Sequence, residues 1–282
     1  MIKPTVLITA GDPSGIGPEV TKKALQDPDI MELANFFVII SKDKTGFEAI
    51  ERSAGILNKK KADALVTAPV NKEAINKSGI SFQGHTEYLA KAANIKKFAM
   101  MLCGGPLKVT TVTRHVPLKK VSGILTQAKI IEAVRLTDAY LKKYFGIRKP
   151  KIGVCGLNPH CGEGGKIGRE EQDIIIPAIK KIRRSIPGIL GPISGDAIFY
   201  MAYNGRLDVV ISMYHDQGLG PLKMVAFEKG VNVTLGLPFI RTSPDHGTAY
   251  DIAGRGIADP GSMKEAIKFA VRMCLKNHVK IK

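Results

Sequence analysis

Two short apolar runs, Val209–Met213 and Val231–Leu235, are each expected to empty into a loop dense in reactive side chains. His215, Asp216 and Lys223 follow the first run, and Arg241, Asp245 and His246 follow the second. Of the six histidines, four (His115, His160, His215 and His246) fall at or near the ends of expected strands. If those ends converge, three neutral imidazoles suit zinc or another divalent ion acting as a Lewis acid. No pair has i, i+4 helical spacing, so spacing alone does not establish a metal site. Lys223 and Arg241 add cations suited to phosphate or carboxylate.

The elements that must carry these residues read as alternating strands and helices. Apolar runs at Thr5–Ala10, Phe36–Ile40, Ala64–Thr67, Phe98–Cys103, Val109–Arg114 and Lys151–Gly156 are expected strands. Amphipathic segments at Thr45–Leu57, Thr126–Tyr144, from Glu170 to about Arg184, and Ser262–Asn277 are expected helices. Asn71 is placed to cap one helix, and His85 or Thr86 another that runs to about Ala93. Asp196 falls near the start of a short helix. This alternation defines an α/β protein, with an antiparallel piece where Gly104, Gly105 and Pro106 join two strands. In such sheets ligands bind where loops leave the carboxyl ends of strands, which places Asp208–Pro260 at the centre of the functional reading.

Two Gly-rich loops stand out. Gly11–Val20 follows the first strand and opens a helix. It is either a tight turn or a ligand-contacting loop, because neither nucleotide-binding glycine fingerprint is present. The loop around His160 carries several glycines that let backbone approach a ligand. His85, at a helix N-terminus, suits a neutral imidazole that donates to an anion or hydroxyl.

Composition bounds the class. With 282 residues and 44% hydrophobic content the chain can build one large domain or two. It has no apolar run long enough to span a membrane, and Thr5–Ala10 reads as a first strand instead of a signal peptide, which points to the cytoplasm. The four cysteines form no CxxC pair and are expected to be reduced thiols. The net charge of +17 comes from dispersed lysines without an Arg-rich tail, so a solvated basic surface is favoured over nucleic-acid binding. It is compatible with a phosphorylated substrate.

Motifs along nearly the whole chain carry a more specific signal. ITAGDPSGIGPE, TAPVNKEAI, GHTEYLA, TRHVPL, GLNPHCGEGGKIGREE, MYHDQGLGPLK and VNVTLGLPFIRTSPDHGTAYDIAGRG occur in order. In these the chain resembles the 4-hydroxythreonine-4-phosphate dehydrogenase family of pyridoxal phosphate biosynthesis. HGTAYDIAGRGIADP also resembles the cofactor loop of isopropylmalate and isocitrate dehydrogenases. The resemblance implies their fold: two α/β/α domains with mixed sheets and an interdomain cleft. Residues 1–82 with 222–282 would form the first domain, with the NAD loop. Residues 83–221 would form the second, with the metal ligands and dimer interface.

The implied reaction is NAD-dependent oxidation and decarboxylation of 4-phosphooxy-L-threonine to 3-amino-2-oxopropyl phosphate, by way of a β-keto acid. By the same resemblance His115, His160 and His215 are the metal ligands, shared across a homodimer. The metal is zinc, magnesium, cobalt or manganese. His85, Thr86, Lys223, Asn232 and Arg241 bind substrate, and Asp245, His246, Gly247, Thr248 and Asp251 contact NAD, with NADP the alternative and Arg255 the residue to watch for it. Asp196, Asp216 and Lys223 are the catalytic candidates. Between the first helix and TAPVNK the chain is shorter than typical members. Relatives that oxidise 4-phospho-D-erythronate or 4-phospho-threonate keep the same histidines, so a sugar-acid substrate is the enzymatic alternative. A basic nucleic-acid-binding protein and a non-catalytic paralogue are the alternatives from other classes.

Overall fold

The computed structural model describes residues 3–278, which divide into two compact units. Among the described residues, 3–96 and 228–278 make unit 1, and 97–227 make unit 2. Both boundaries lie later in the chain than the expected 82/83 and 221/222. The helix beginning at His85 packs on the helix Phe47–Asn58 of unit 1. The helix His215–Ala226 runs without a break through 221/222, so no boundary can fall there.

The chain enters unit 1 with β1 (Thr5–Thr9), α1 (Gly17–Leu25), α2 (Pro28–Met31) and β2 (Asn35–Ile39). It continues through α3 (Phe47–Asn58), β3 (Ala64–Thr67), α4 (Lys72–Lys77) and α5 (His85–Ala92). Unit 2 follows with β4 (Ala99–Gly104), β5 (Leu107–Thr111), α6 (Val121–Ile124), α7 (Gln127–Tyr140), β6 (Ile152–Cys155), α8 (Ile176–Arg183), β7 (Ile189–Ile193), α9 (Gly195–Tyr203), β8 (Val209–Ser212) and α10 (His215–Ala226). The chain then returns to unit 1 for β9 (Val231–Leu235), β10 (Ile240–Pro244) and α11 (Gly261–His278).

In unit 1 the strand order is β2-β1-β3-β10-β9. All neighbours are parallel except β9 and β10. β3 is buried along its whole length and β1 along all but its first residue, as expected of strands covered on both faces. α11 lies against β10, β3 and β9, with Met263, Ala266, Ile267 and Ala270 fully buried. α1 starts close under β1. A Cβ on Gly17 would sit 2.2 Å from the Ala10 carbonyl oxygen, so only glycine admits this approach.

In unit 2 the order is β4-β5-β8-β6-β7, parallel except for the β4–β5 hairpin. Its core includes Leu102, Leu107, Val109, Ile198, Val210 and Leu222, so α9 and α10 pack onto the sheet by their apolar faces.

The α/β class and the mixed sheet follow the expectation. Three local readings are corrected. Ile240–Pro244 is a strand, so Arg241 lies within a sheet and not in a loop. The segment after β8 is helical, which puts His215 and Asp216 in the first turn of α10 and Lys223 in its last. Neither His85 nor Thr86 caps α5: Gly84 holds the N-cap position without a side-chain hydrogen bond. Asn71 does cap α4, accepting from the backbone N–H groups of Glu73 and Ala74.

Candidate active site

In unit 1 the functional side chains gather on the ends of β3, β9 and β10. Arg241 is 3% exposed and donates from Nε to Thr67 Oγ1 at 3.2 Å and from Nη1 to Thr234 Oγ1 at 3.1 Å. Nη2 also donates to Thr67 Oγ1. Both acceptors are uncharged hydroxyls. Burial pushes the guanidinium down to about 10 even though the Glu87 carboxylate acts in the opposite sense.

Thr86 Oγ1 lies 3.4 Å from Thr234 Oγ1, which brings the start of α5 to the same cluster. The neighbouring His85 has a buried Nε2 with no hydrogen-bond partner. Burial, and after it the charges of Arg241 and Lys72, hold its pKa well below the usual value, so the ring is neutral. Asn232, on β9, also has a buried Oδ1 without a partner. A buried cation beside neutral donors and unsatisfied polar atoms is the chemistry of an anion- and hydroxyl-binding site. His85, Thr86 and Arg241 are thus brought together. Thr67, Thr234 and Lys72 were missed. Their only signal was position, Thr67 and Thr234 near strand ends and Lys72 at a helix start.

The expected cofactor loop, also in unit 1, docks on the Gly11–Gly17 turn. Ile16 N–H donates to the Thr248 carbonyl at 2.9 Å, and Tyr250 OH donates to Asp12 Oδ2 at 2.6 Å. A Cβ on Gly15 would lie 2.8 Å from the Thr248 carbonyl oxygen. The glycines of the first loop are therefore accounted for by close backbone packing. Further along, Glu19 accepts from the N–H groups of Gly256 and Ala258, and Lys23 donates to both their carbonyls. Asp245 N–H donates to Ser262 Oγ, and His246 Nδ1 donates to the Gly247 carbonyl at 3.0 Å. His246 Nε2 is buried without a partner, while Gly247 and Asp251 are exposed. The loop is thus tied down at several points along its length, with Gly247 and Asp251 exposed between them.

Unit 2 carries the remaining candidates. The His115 and His215 rings lie 5.3 Å apart, tilted by 49°. His215 Nδ1 donates to Asp216 Oδ1 at 2.7 Å, which leaves the Nε2 lone pair uncommitted to that contact. Gln217 ties this end of α10 to its surroundings, accepting from Met213 N–H and donating to the Gly156 carbonyl, both at 2.7 Å. Thr111 and Ser212 are register partners at the ends of β5 and β8, and each has a buried hydroxyl oxygen without a partner. Lys223 lies toward the other end of α10, its Nζ 5.4 Å from the Phe227 ring centre. Gln217, Thr111 and Ser212 gave no signal in the sequence.

His160 sits in a left-handed turn. Residues 160, 161, 162, 163 and 164 all have positive φ, with His160 at 48°, Cys161 at 54° and Glu163 at 44°. Each non-glycine there costs about 1–2 kcal/mol, which marks the turn as held for a purpose. Buried Glu171 holds it, accepting from Leu157 N–H, Asn158 N–H and Asn158 Nδ2 at 2.7, 2.8 and 2.9 Å. Gly162, at φ +78°, leaves no room for a side chain: a Cβ would meet Glu171 Oε2 at 2.8 Å. Glu163 raises the His160 pKa through a hydrogen bond and its charge, with a smaller contribution from Asp196. Asp196, exposed in the first turn of α9, is itself lowered, chiefly by a hydrogen bond from Ser194.

For a divalent metal the donor chemistry fits in part. His115 and His215 are paired, and the Asp216 contact leaves a nitrogen lone pair on His215. Among the described residues no three His, Cys, Asp or Glu side chains stand close enough together to hold an ion within one chain.

The α/β chain with its partly antiparallel sheet shares its fold with decarboxylating dehydrogenases. An isocitrate dehydrogenase from Methylococcus capsulatus superposes with a TM-score of 0.59 at 16% identity, covering 98% of this chain and 86% of that one. The chain belongs to the pyridoxal phosphate biosynthetic protein PdxA family, whose model matches residues 25–270. A 4-hydroxythreonine-4-phosphate dehydrogenase from Sulfurihydrogenibium sp. is 42% identical over 312 positions, covering 94% of this chain and 96% of that protein. The aligned length exceeds the 282 residues of this chain, so the relative carries segments absent here. A provisionally named D-threonate 4-phosphate dehydrogenase from Oceanobacillus iheyensis is 38% identical, covering 96% of this chain and 98% of that one. The crystal structure of 4-hydroxythreonine-4-phosphate dehydrogenase from Klebsiella pneumoniae superposes with a TM-score of 0.85 at 32% identity, covering 96% of this chain and 99% of that one. Among the described residues no helix is long and apolar enough to cross a membrane.

Proposed function

We propose that the chain oxidises and decarboxylates 4-phosphooxy-L-threonine to 3-amino-2-oxopropyl phosphate with NAD, in the cytoplasm, as a step of pyridoxal phosphate biosynthesis. The observation that carries this reading is the buried Arg241 held by Thr67 and Thr234 beside the neutral His85, whose buried Nε2 has no hydrogen-bond partner. A guanidinium held charged in a dry site is suited to a carboxylate or phosphate, and a neutral imidazole beside it suits a hydrogen bond to substrate.

Within the proposal, Arg241, Thr86, Asn232 and Lys223 orient the substrate, and His85 hydrogen-bonds to it as a neutral ring. Asp196, Asp216 and Lys223 are the candidates for moving protons. The HGTA loop, with Asp245, His246, Gly247, Thr248 and Asp251, receives the nicotinamide cofactor, NAD before NADP. His115, His160 and His215 would hold a zinc, magnesium, cobalt or manganese ion, completed by a second copy of the chain in a homodimer. When bound, the ion supplies Lewis-acid polarisation of the substrate oxygen.

The second reading, a phosphorylated sugar acid such as 4-phospho-D-erythronate or a phosphorylated threonate, is favoured by the Oceanobacillus relative. The test is NADH formation by metal-supplied enzyme with each substrate in parallel. Turnover of 4-phosphooxy-L-threonine well above the others supports the first reading. Turnover of the amino-free acid alone moves the enzyme to the second, and no turnover of any substrate overturns both.

A further inference from the structure

Glu163 is assigned no part in the reading above, yet its position is specific. His160 Nδ1 and Glu163 Oε1 are 2.8 Å apart. The left-handed turn brings them together. In a turn of about three residues, side chains i and i+3 share a face. The two residues between them are directed elsewhere. Cys161 Sγ lies 2.9 Å from where a Gly156 Cβ would be, and Gly162 packs on Glu171 Oε2. Glu163 itself holds φ at +44°, a conformation glycine would adopt more easily. A carboxylate there, in place of the residue the backbone prefers, points to a role for the side chain.

We infer that Glu163 is a positioning residue for His160, fixing the neutral ring in the Nδ1–H tautomer so that the Nε2 lone pair is presented to a divalent metal. The inference rests on the metal-ligand reading of His160. A carboxylate only accepts hydrogen bonds, so the proton of a neutral ring must lie on Nδ1. His215 and Asp216 show the same pairing at 2.7 Å, so two of the proposed ligands would be oriented by one device. Glu163 touches neither substrate nor cofactor in this assignment; it acts through His160.

The test uses the full chain with Glu163→Gln, Glu163→Gly and His160→Ala variants, and two readouts. The first is the His160 tautomer, from imidazole nitrogen shifts of the metal-free folded protein at a pH where the ring is neutral. The second is Co2+ affinity by optical titration. Glu163→Gln, whose amide can accept from Nδ1–H or donate to a bare Nδ1, is expected to mix the two tautomers and weaken Co2+ binding about 10- to 100-fold. Glu163→Gly relieves the positive φ, so it should fold at least as well and still bind Co2+ as weakly as the Gln variant. A merely structural role would leave both readouts unmoved in Glu163→Gly. An unchanged tautomer in both variants, or Co2+ affinity within twofold of wild type while His160→Ala abolishes binding, overturns the inference. If His160→Ala leaves Co2+ affinity unchanged, the metal reading of His160 fails separately, and the inference fails with it.

Discussion

Arg241→Met is expected to separate stability from binding. The guanidinium is 3% exposed and pushed down from the ordinary arginine range to about 10 by burial. At about 1.4 kcal/mol per pH unit, holding it charged costs about 3 kcal/mol in the ligand-free protein. Methionine fills similar length without charge. It leaves the Thr67 and Thr234 hydroxyls without their donor, a loss of about 1 kcal/mol each. The net expectation is a ligand-free variant about 1 kcal/mol more stable than wild type, or a rise of about 2 °C in melting temperature. The substrate should behave oppositely. At a hundredfold excess over Kd it stabilises wild type by about 2.7 kcal/mol, and the variant should lose most of that protection. The assay is thermal unfolding by circular dichroism with and without 4-phosphooxy-L-threonine. A variant destabilised by more than about 2 kcal/mol, with ligand protection intact, would refute the reasoning, because Arg241 would then be a structural residue whose hydrogen bonds outweigh its burial.

Thr67→Val removes the acceptor of two guanidinium N–H groups and is expected to lower stability by about 1 kcal/mol in urea unfolding, the same worth given to that hydroxyl in Arg241→Met. A loss below about 0.5 kcal/mol, within the range of ordinary surface substitutions, would contradict the role given to that hydroxyl. For His85 the native ring is held neutral while the unfolded ring takes up a proton near pH 6.5, so the unfolded state binds more protons as pH falls. Stability should therefore drop on acidification below that pH, by at most about 1.4 kcal/mol per pH unit, and His85→Gln should flatten its share of the drop. Equal drops in variant and wild type would contradict the assignment. Glu171→Gln is expected to speed amide hydrogen exchange at residues 157 and 158, whose N–H groups Glu171 holds, and to weaken Co2+ binding through His160. Unchanged exchange would show that the turn stands without the buried charge.

The strands legible in the sequence were those with continuous apolar runs. Ala64–Thr67 and Val231–Leu235 fall where the pattern puts them because both are buried with little polar interruption. β10 escaped because it reads IRTSP: an arginine, two hydroxyls and a proline look like a loop. In the fold those polar atoms are satisfied locally, Arg241 by Thr67 and Thr234, and Thr242 by the Ala266 carbonyl. α10 was read as a loop because it holds two glycines and Pro221, yet Gly218 is needed where a Cβ would meet Val109 and Ser212 at 2.6 Å. The histidines and Arg241 could be picked out because their side-chain types announce chemistry. Thr67, Gln217, Glu163 and Glu171 could not, because what they do depends on partners up to 174 residues away, or on backbone conformations that no local pattern specifies.

The central claim is tested most directly by measuring NADH and CO2 together in one reaction of the metal-supplied enzyme with NAD and 4-phosphooxy-L-threonine. Both are expected to appear in equal amounts, and both to be lost in Arg241→Met. NADH without CO2 would contradict the decarboxylation. The absence of both from folded, metal-loaded protein would contradict the assigned reaction itself.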